Sequence, residues 1–437
     1  MKFYSQIVDY LQSFINYESI GFDKIKDSFY LEKLFQVLKK AGNPQNDYKS
    51  IHVVGTKGKG SCSTFISFIL REAGYNVGLF TSPHLISRRE RIQVNNKIIS
   101  ESDFEDAFNR LQGYLGKEPE KIFTFFEIYT LIALLWFSMK KVDFAVIEAG
   151  LGGRLDATNV MKAEFCAISS ISYDHIKVLG ETLPEIAMEK VAVIKKNAYC
   201  VTMPQKETVM EIIQKKCVET NAVLSVVGRD INYEVKHMDQ TGSSFDFYGK
   251  NSSCKNCRIN MPGCFQVPNC TAALGICEYI LKNRQNQKNI LKKGMANTFI
   301  PGRMEVLSTK PYVLIDGAQN ADSAMNLKKS VEKLFDYDKL ILILGVSKDK
   351  DVEGICRNLT PIADEIILTR AVASRAMDPF LIRGYIRGKR TQVTGNVKEA
   401  LGVAFNVSGK HDMILVTGSF FVISEVREMV LGRTCGK

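Results

Sequence analysis

The chain has 437 residues, 45% of them apolar, and a formal charge of +11; that length exceeds what one hydrophobic core usually supports, so two domains are expected. Eleven cysteines are an odd number, and the N-terminal Met1-Lys2-Phe3-Tyr4-Ser5-Gln6 lacks a basic-then-apolar export pattern, which together argue for reduced thiols in the cytoplasm and against a disulfide framework. The lysines are scattered, with no arginine-rich run and no aromatic RNA-binding signature, which argues against nucleic acid; polyanionic small substrates account for the sign of the charge equally well.

Short apolar runs alternate with longer segments of helical period, the pattern of α/β domains with largely parallel sheets. The first clear strand, residues 51–55, runs into Gly55-Thr56-Lys57-Gly58-Lys59-Gly60-Ser61, after which Phe65, Ile66, Ile69, Leu70 and Ala73 recur with helical spacing. Strand, glycine-rich loop and helix make a phosphate cradle: the glycines let backbone N–H groups approach oxyanions, and the helix start adds its positive end. In that reading Gly55, Thr56, Gly58, Gly60 and Ser61 surround the phosphates, Lys59 reaches the terminal ones, and a hydroxyl faces the metal. Gly60 separates Lys59 from Ser61, a departure from the common G-x-x-x-x-G-K-[S/T] spacing.

Further strands are expected at residues 77–80, 143–148, 164–170 and 198–203. Residues 123–139 are apolar, but Glu127 interrupts them and the clearly apolar part is too short for a bilayer, so a buried helix and no membrane partner are expected. Glu148 closes a strand whose carboxyl end belongs at the ligand crevice of an α/β sheet, where a carboxylate is a natural Mg²⁺ ligand. Thr182-Leu183-Pro184-Glu185 is a capping-box pattern that starts a helix carrying Lys190. Residues 223–262, with the turn signal Asp239-Gln240-Thr241-Gly242, read as antiparallel hairpins; Cys254 and Cys257 inside them leave a zinc site and free thiols both open. Asn297-Thr298-Phe299-Ile300-Pro301-Gly302 reads as a hinge and divides the chain into 1–299 and 300–437. A second strand series follows at 312–316, 340–345, 365–369 and 413–417.

The glycine-rich loop resembles the nucleotide loop of the folylpolyglutamate and dihydrofolate synthases, a branch of the Mur ligase superfamily, and the resemblance runs through almost the whole chain. Gly42-Asn43-Pro44-Gln45 precedes the loop; Thr81-Ser82-Pro83-His84-Leu85, Arg89-Glu90-Arg91-Ile92, Phe126-Glu127 and Glu148-Ala149-Gly150-Leu151-Gly152-Gly153-Arg154 follow it. Next come Tyr173-Asp174-His175, Glu189-Lys190 and Gly263-Cys264-Phe265-Gln266-Val267-Pro268-Asn269, then Pro301-Gly302-Arg303, Asp316-Gly317-Ala318-Gln319-Asn320, Gly345-Val346-Ser347-Lys348-Asp349-Lys350-Asp351 and Thr417-Gly418-Ser419.

The resemblance implies a P-loop-containing, Mur-ligase-like ATPase domain with a mostly parallel sheet, followed by a smaller α/β glutamate-ligase domain. It implies that Ser82, Glu148 and His175 bind metal, that Lys190 is carbamylated and bridges a second Mg²⁺, and that Asn269 helps hold ATP. It also implies that Lys59, Lys190, Arg303 and Asp316 serve the phosphoryl chemistry. Imidazole is not a preferred Mg²⁺ donor, so His175 read alone stays open between a structural histidine and a ligand. Two departures stand out: Val191-Ala192-Val193 replaces Ala-Gly-Ile beside Lys190, and Gln319 stands where the family has His.

The implied reaction joins L-glutamate to a folate or to dihydropteroate through an acyl phosphate, in a monomer. Only about fifty residues precede the loop, too few for the added N-terminal domain of the peptidoglycan-building Mur ligases. The alternative from another class is a nucleotide-binding regulatory homologue with lost or altered ligase activity, motivated by Gln319, the neighbours of Lys190 and the basic charge.

Overall fold

The computed structural model describes residues 3–20 and 30–432. Its largest sheet is built from β1 (Lys49–Val54), β2 (Val77–Phe80), β3 (Ile92–Val94), β4 (Lys97–Ile98), β5 (Phe144–Glu148), β6 (Phe165–Ile168), β7 (Tyr199–Thr202) and β8 (Val223–Val226), in the order β4-β3-β2-β5-β1-β6-β7-β8. The six strands from β2 to β8 in that order run parallel, and β3 and β4 close the edge as an antiparallel hairpin. In the central strand β1 every residue after Lys49 is buried, because helices cover both faces, as parallel sheets require. Ile51 and Val53 join one core with the helices Lys59–Glu72, Gln266–Ile280 and Gln287–Ala296. The opposite face takes Ala145 and Ile147 into a core with the helices Glu101–Leu115 and Phe125–Met139.

The apolar segment 123–139 is that last helix, and Glu127 has a structural use in it. Thr124 Oγ1 accepts from the Glu127 N–H at 3.2 Å, Glu127 Oε2 accepts from the Thr124 N–H at 2.7 Å, and Lys33 Nζ sits 2.9 Å from the same carboxylate. The interior charge is thus a capping box with its own counter-ion. Among the described residues no helix is long and apolar enough to cross a membrane.

The expectation of hairpins across 223–262 needs correction at its start. Residues Val223–Val226 form β8 and pair parallel with β7, because the helix Glu207–Glu219 returns the chain to the same end of the sheet. The remainder forms an antiparallel sheet of β9 (Asn232–Asp239), β10 (Gly242–Tyr248) and β11 (Ser253–Ile259). At its turn, Asp239 Oδ1 accepts from the Thr241 N–H at 2.7 Å, and a Cβ on Gly242 would lie 2.0 Å from the Ile259 carbonyl oxygen. Cys254 and Cys257 are buried in the core with Cys62, Cys270 and Cys277. Among the described residues no three His, Cys, Asp or Glu side chains are placed to hold a metal by themselves, so the zinc alternative has no ligand set there.

The C-terminal α/β domain is built on β12 (Glu305–Thr309), β13 (Tyr312–Ile315), β14 (Leu340–Leu344), β15 (Glu365–Leu368), β16 (Thr391–Val393) and β17 (Met413–Thr417), in the order β12-β13-β17-β14-β15-β16. All pair parallel except β12. Alternate residues of β14 serve opposite cores, Leu340, Leu342 and Leu344 on one face and Ile341 and Ile343 on the other.

Candidate active site

A cavity of about 760 Å³ opens between the carboxyl ends of the two large sheets. The first sheet supplies the loop after β1, Ser82 after β2, Glu148 at the end of β5 and Ser170 after β6; the second supplies Asp316 to Gln319 after β13, Ser347 after β14 and Ser419 after β17. Open α/β sheets bind ligands at this end, where strand ends diverge and helix starts converge.

The glycine-rich loop is shaped by close packing. Gly55 has φ +144°, and a Cβ there would stand 2.0 Å from Ser169 Oγ; Gly58 has φ +84°, and its Cβ would stand 2.3 Å from Asn269 Oδ1. The loop is pinned by the Thr56 N–H, which donates to the Ser170 carbonyl at 2.7 Å, and by Thr56 Oγ1, which donates to the Ser172 carbonyl at 3.0 Å. The helix Lys59–Glu72 starts directly from it, and its first-turn residues Lys59, Gly60 and Ser61, at the end of a helix where N–H groups lack partners within the helix, line the cavity.

Two lysines meet beneath this loop. Lys59 Nζ donates to the Gly55 carbonyl at 3.2 Å, and Lys190 Nζ donates to the same oxygen at 3.0 Å. The Lys190 helix starts as the sequence implies: Thr182 Oγ1 accepts from the Glu185 N–H, and Glu185 Oε2 accepts from the Thr182 N–H. Lys190 is 4% exposed; burial, then the charge of Lys59, push its ammonium down to about 7. Val191, larger than the Ala it replaces, and Val193, smaller than the Ile it replaces, are both buried in a core with Val54 and Ile168.

Glu148 is 4% exposed. Its Oε2 accepts from the Ser82 N–H at 3.0 Å, and burial raises its pKa against the opposing pull of Lys59 and Arg303. A Cβ on Gly60 would be 3.4 Å from this carboxylate, which leaves the loop and Glu148 in contact distance. His175 takes a left-handed backbone, φ +49°; burial lowers it to about 4, with Asp174 opposing, so it is neutral at physiological pH. Asp174 itself pairs with Lys57 at 3.0 Å. Burial would raise that carboxyl, but Lys57 and His175 hold it well below the usual range.

From the opposite wall, Arg303 lays its guanidinium carbon 4.7 Å from the centre of the Phe420 ring. Asp316 Oδ2 accepts from the Met304 N–H at 3.0 Å and Oδ1 from the Ala318 N–H at 2.9 Å, so it ties the segment after Arg303 to its own loop. Gln319 lines the cavity, and its N–H donates to Ser323 Oγ at 3.1 Å. Of the residues singled out from the sequence, Thr56, Gly58, Lys59, Gly60, Ser61 and Ser82 line this cavity, as do Glu148, His175, Asn269, Arg303 and Asp316. Gly55, at the start of the loop, is outside that lining, and Lys190 lies behind the loop, joined to Gly55 by the bond already given.

A second network was not read from the sequence. Arg91 is completely buried; its Nη1 and Nη2 donate to the Glu18 carboxylate at 2.9 and 2.5 Å, and its Nε donates to His84 Nδ1 at 2.9 Å. Burial and Arg91 push His84 down to about 3, which keeps it a neutral acceptor. Across the cavity Arg375 pairs with Asp349 at 2.6 Å and donates to the Glu18 carbonyl. Glu18 and Ser19, in the short helix Tyr17–Ile20, therefore stand at the seam between the two sheets.

Residues 53–277 match the family model of the Mur ligase middle domain, and residues 302–420 match that of the Mur ligase, glutamate ligase domain. The chain is 29% identical over 406 residues to the dihydrofolate synthase/folylpolyglutamate synthase of Bacillus subtilis, covering 91% of this chain and 94% of that protein. Its structure aligns with the folylpolyglutamate synthase of Thermotoga maritima at a TM-score of 0.84 and 30% identity, covering 98% of this chain and 97% of the other. It aligns with Mycobacterium tuberculosis folylpolyglutamate synthase complexed with ADP at a TM-score of 0.90 and 27% identity, covering 99% of both chains. The chain belongs to the Mur ligase superfamily, in its folylpolyglutamate synthase/dihydrofolate synthase branch.

Proposed function

We propose that this protein is an ATP-dependent carboxylate–amine ligase that joins L-glutamate to a folate, and to dihydropteroate, through an acyl phosphate. The observation that carries the reading is the meeting of the glycine-rich loop, Lys59 and Glu148 on one wall with Arg303 and Asp316 on the other in a single cavity. The ADP complex of the Mycobacterium tuberculosis relative supports ATP as the nucleotide. We divide the chain at residue 300, between the helix Gln287–Ala296 and β12, and place the protein in the cytoplasm.

In this reading the acceptor carboxylate attacks the γ-phosphorus and ADP leaves; the glutamate amine then attacks the acyl carbon, phosphate leaves, and the nitrogen gives up its extra protons. Carboxylate is a poor electrophile, and the phosphate gives it a leaving group. Loop N–H groups and Lys59 hold the phosphates, and Asn269 props the loop at Gly58. Asp316, through its two backbone bonds, fixes the segment from which Arg303 reaches the transferred group; positioning and charge neutralisation supply the catalysis. Closure of the two walls keeps water from the acyl phosphate.

Glu148 fits Mg²⁺: it is a buried carboxylate whose described hydrogen bond is to the Ser82 N–H, and hard cations need only one or two carboxylates when phosphates and waters complete the shell. Ser82, Glu148 and neutral His175 would hold the ion, which would neutralise phosphate charge. Lys190, lowered to about 7, has the free amine that reacts with CO₂, and its carbamate would hold a second Mg²⁺ and relieve the repulsion from Lys59. The test is ADP release with dihydropteroate and tetrahydrofolate side by side, with and without L-glutamate. Release that ignores glutamate with both acceptors overturns the reading in favour of the regulatory alternative.

A further inference from the structure

Arginines 88, 89 and 91 follow one another in the segment after Ser82, and two of them are engaged. Arg91 is held by Glu18 and His84; Arg89 pairs with Glu101 at 3.3 Å and donates to the Ile99 carbonyl at 3.1 Å. Arg88 differs. It lines the cavity, its guanidinium carbon stands 5.8 Å from the centre of the Phe125 ring, and its Nη1 is shielded from solvent with no acceptor among the described residues.

A shielded guanidinium N–H without an acceptor carries a desolvation cost that an anionic ligand would relieve. The planar fork suits a carboxylate. Pro83, Leu85 and Ile86 give the same wall apolar surface for an aromatic ligand. Four other cations lining the cavity are engaged: Lys57 with Asp174, Lys59 with the loop carbonyl, and Lys350 and Arg375 with the Asp349 carboxylate.

We propose that Arg88 is the subsite for a spectator carboxylate of the acceptor, the α-carboxylate of a glutamyl group whose γ-carboxylate is the one activated. This rests on the acyl-phosphate reading above. A pteroate has a single carboxylate, the reacting one; a folate has one more. Arg88 therefore favours addition of glutamate to an existing glutamyl group over the first addition to a pteroate.

The test compares tetrahydrofolate with tetrahydropteroate, which differ only in the glutamyl group, by equilibrium binding in the presence of a non-hydrolysable ATP analogue. Arg88→Met keeps the stem and removes the charge. The expected result is a loss of about tenfold or more in tetrahydrofolate affinity, against a change of no more than about threefold for tetrahydropteroate, with partial recovery in Arg88→Lys. Equal losses for both ligands, or no loss for either, overturn the assignment. A wild-type protein that binds the ATP analogue but neither pterin refutes the acceptor reading itself, and the assignment falls with it.

Discussion

Lys59→Ala separates a phosphate-binding role from a structural one with particular clarity. The side chain makes one hydrogen bond, to the Gly55 carbonyl, and that oxygen keeps its second donor, Lys190. Truncation therefore orphans no acceptor, leaves no core cavity, and removes a positive charge that lowers Lys190. The expected change in stability is within about 0.5 kcal/mol. Activity should fall by about 10²- to 10³-fold in kcat, the loss that follows removal of one preorganised charge or donor from a developing oxyanion. Glutamate-dependent ADP release measures the second quantity, and thermal unfolding the first, with a midpoint expected within about 2 °C of wild type. A folded Lys59→Ala protein that turns over within tenfold of wild type would refute the phosphate assignment; a loss of stability above about 2 kcal/mol would make Lys59 a structural residue.

Glu148→Gln should raise the Mg²⁺ concentration needed for half-maximal rate steeply, because it removes the charged oxygen ligand at nearly constant volume; an unchanged Mg²⁺ titration moves Glu148 to a structural role. Lys190 should take up ¹³C-labelled bicarbonate as pH is raised through about 7, giving a carbamate NMR signal that Lys190→Met lacks; a wild-type spectrum without that signal ends the carbamate reading. The same group has a stability signature. The unfolded lysine keeps its proton to 10.5 while the folded one loses it near 7, so between those values the unfolded state binds more protons and stability rises with pH. Denaturant unfolding in bicarbonate-free buffer should show this contribution in wild type and not in Lys190→Met. Gln319→His should preserve ligation and add a titration near neutrality to the pH–rate profile; an inert wild type that gains activity from this change would show that Gln319 has disabled the site.

Local structure written into contiguous residues was legible in the sequence. The loop from Gly55 to Ser61, the apolar run closed by Glu148 and the capping box ahead of Lys190 each signal through local spacing, and each occupies the expected element. The hairpin of β3 and β4 also carries a local signal, Asn95-Asn96 with both residues at positive φ, the turn chemistry of a tight hairpin. The segment 223–226 resembles any short β run, and only the intervening helix decides that it pairs parallel. Glu18 had no local signal at all: its carboxylate meets Arg91 from 73 residues away, and such a pairing exists only once the sheet has formed. Asp316, which the resemblance implies serves the phosphoryl chemistry, lines the cavity and accepts from two backbone N–H groups, and residue type alone does not reveal those two bonds.

The short helix Tyr17–Ile20 also offers a practical handle. One wall of the cavity holds it by the Glu18 carboxylate, through Arg91; the other holds it by the carbonyls of Glu18 and Ser19, through Arg375 and Ser374. A strap fastened at both sides must stretch or release on one side whenever the walls separate. A single environment-sensitive dye on a cysteine placed at Ser19, in a protein whose Cys435 is replaced by Ser and whose ten described thiols are buried except for the half-buried Cys264, would then follow opening and closing in real time without a second label.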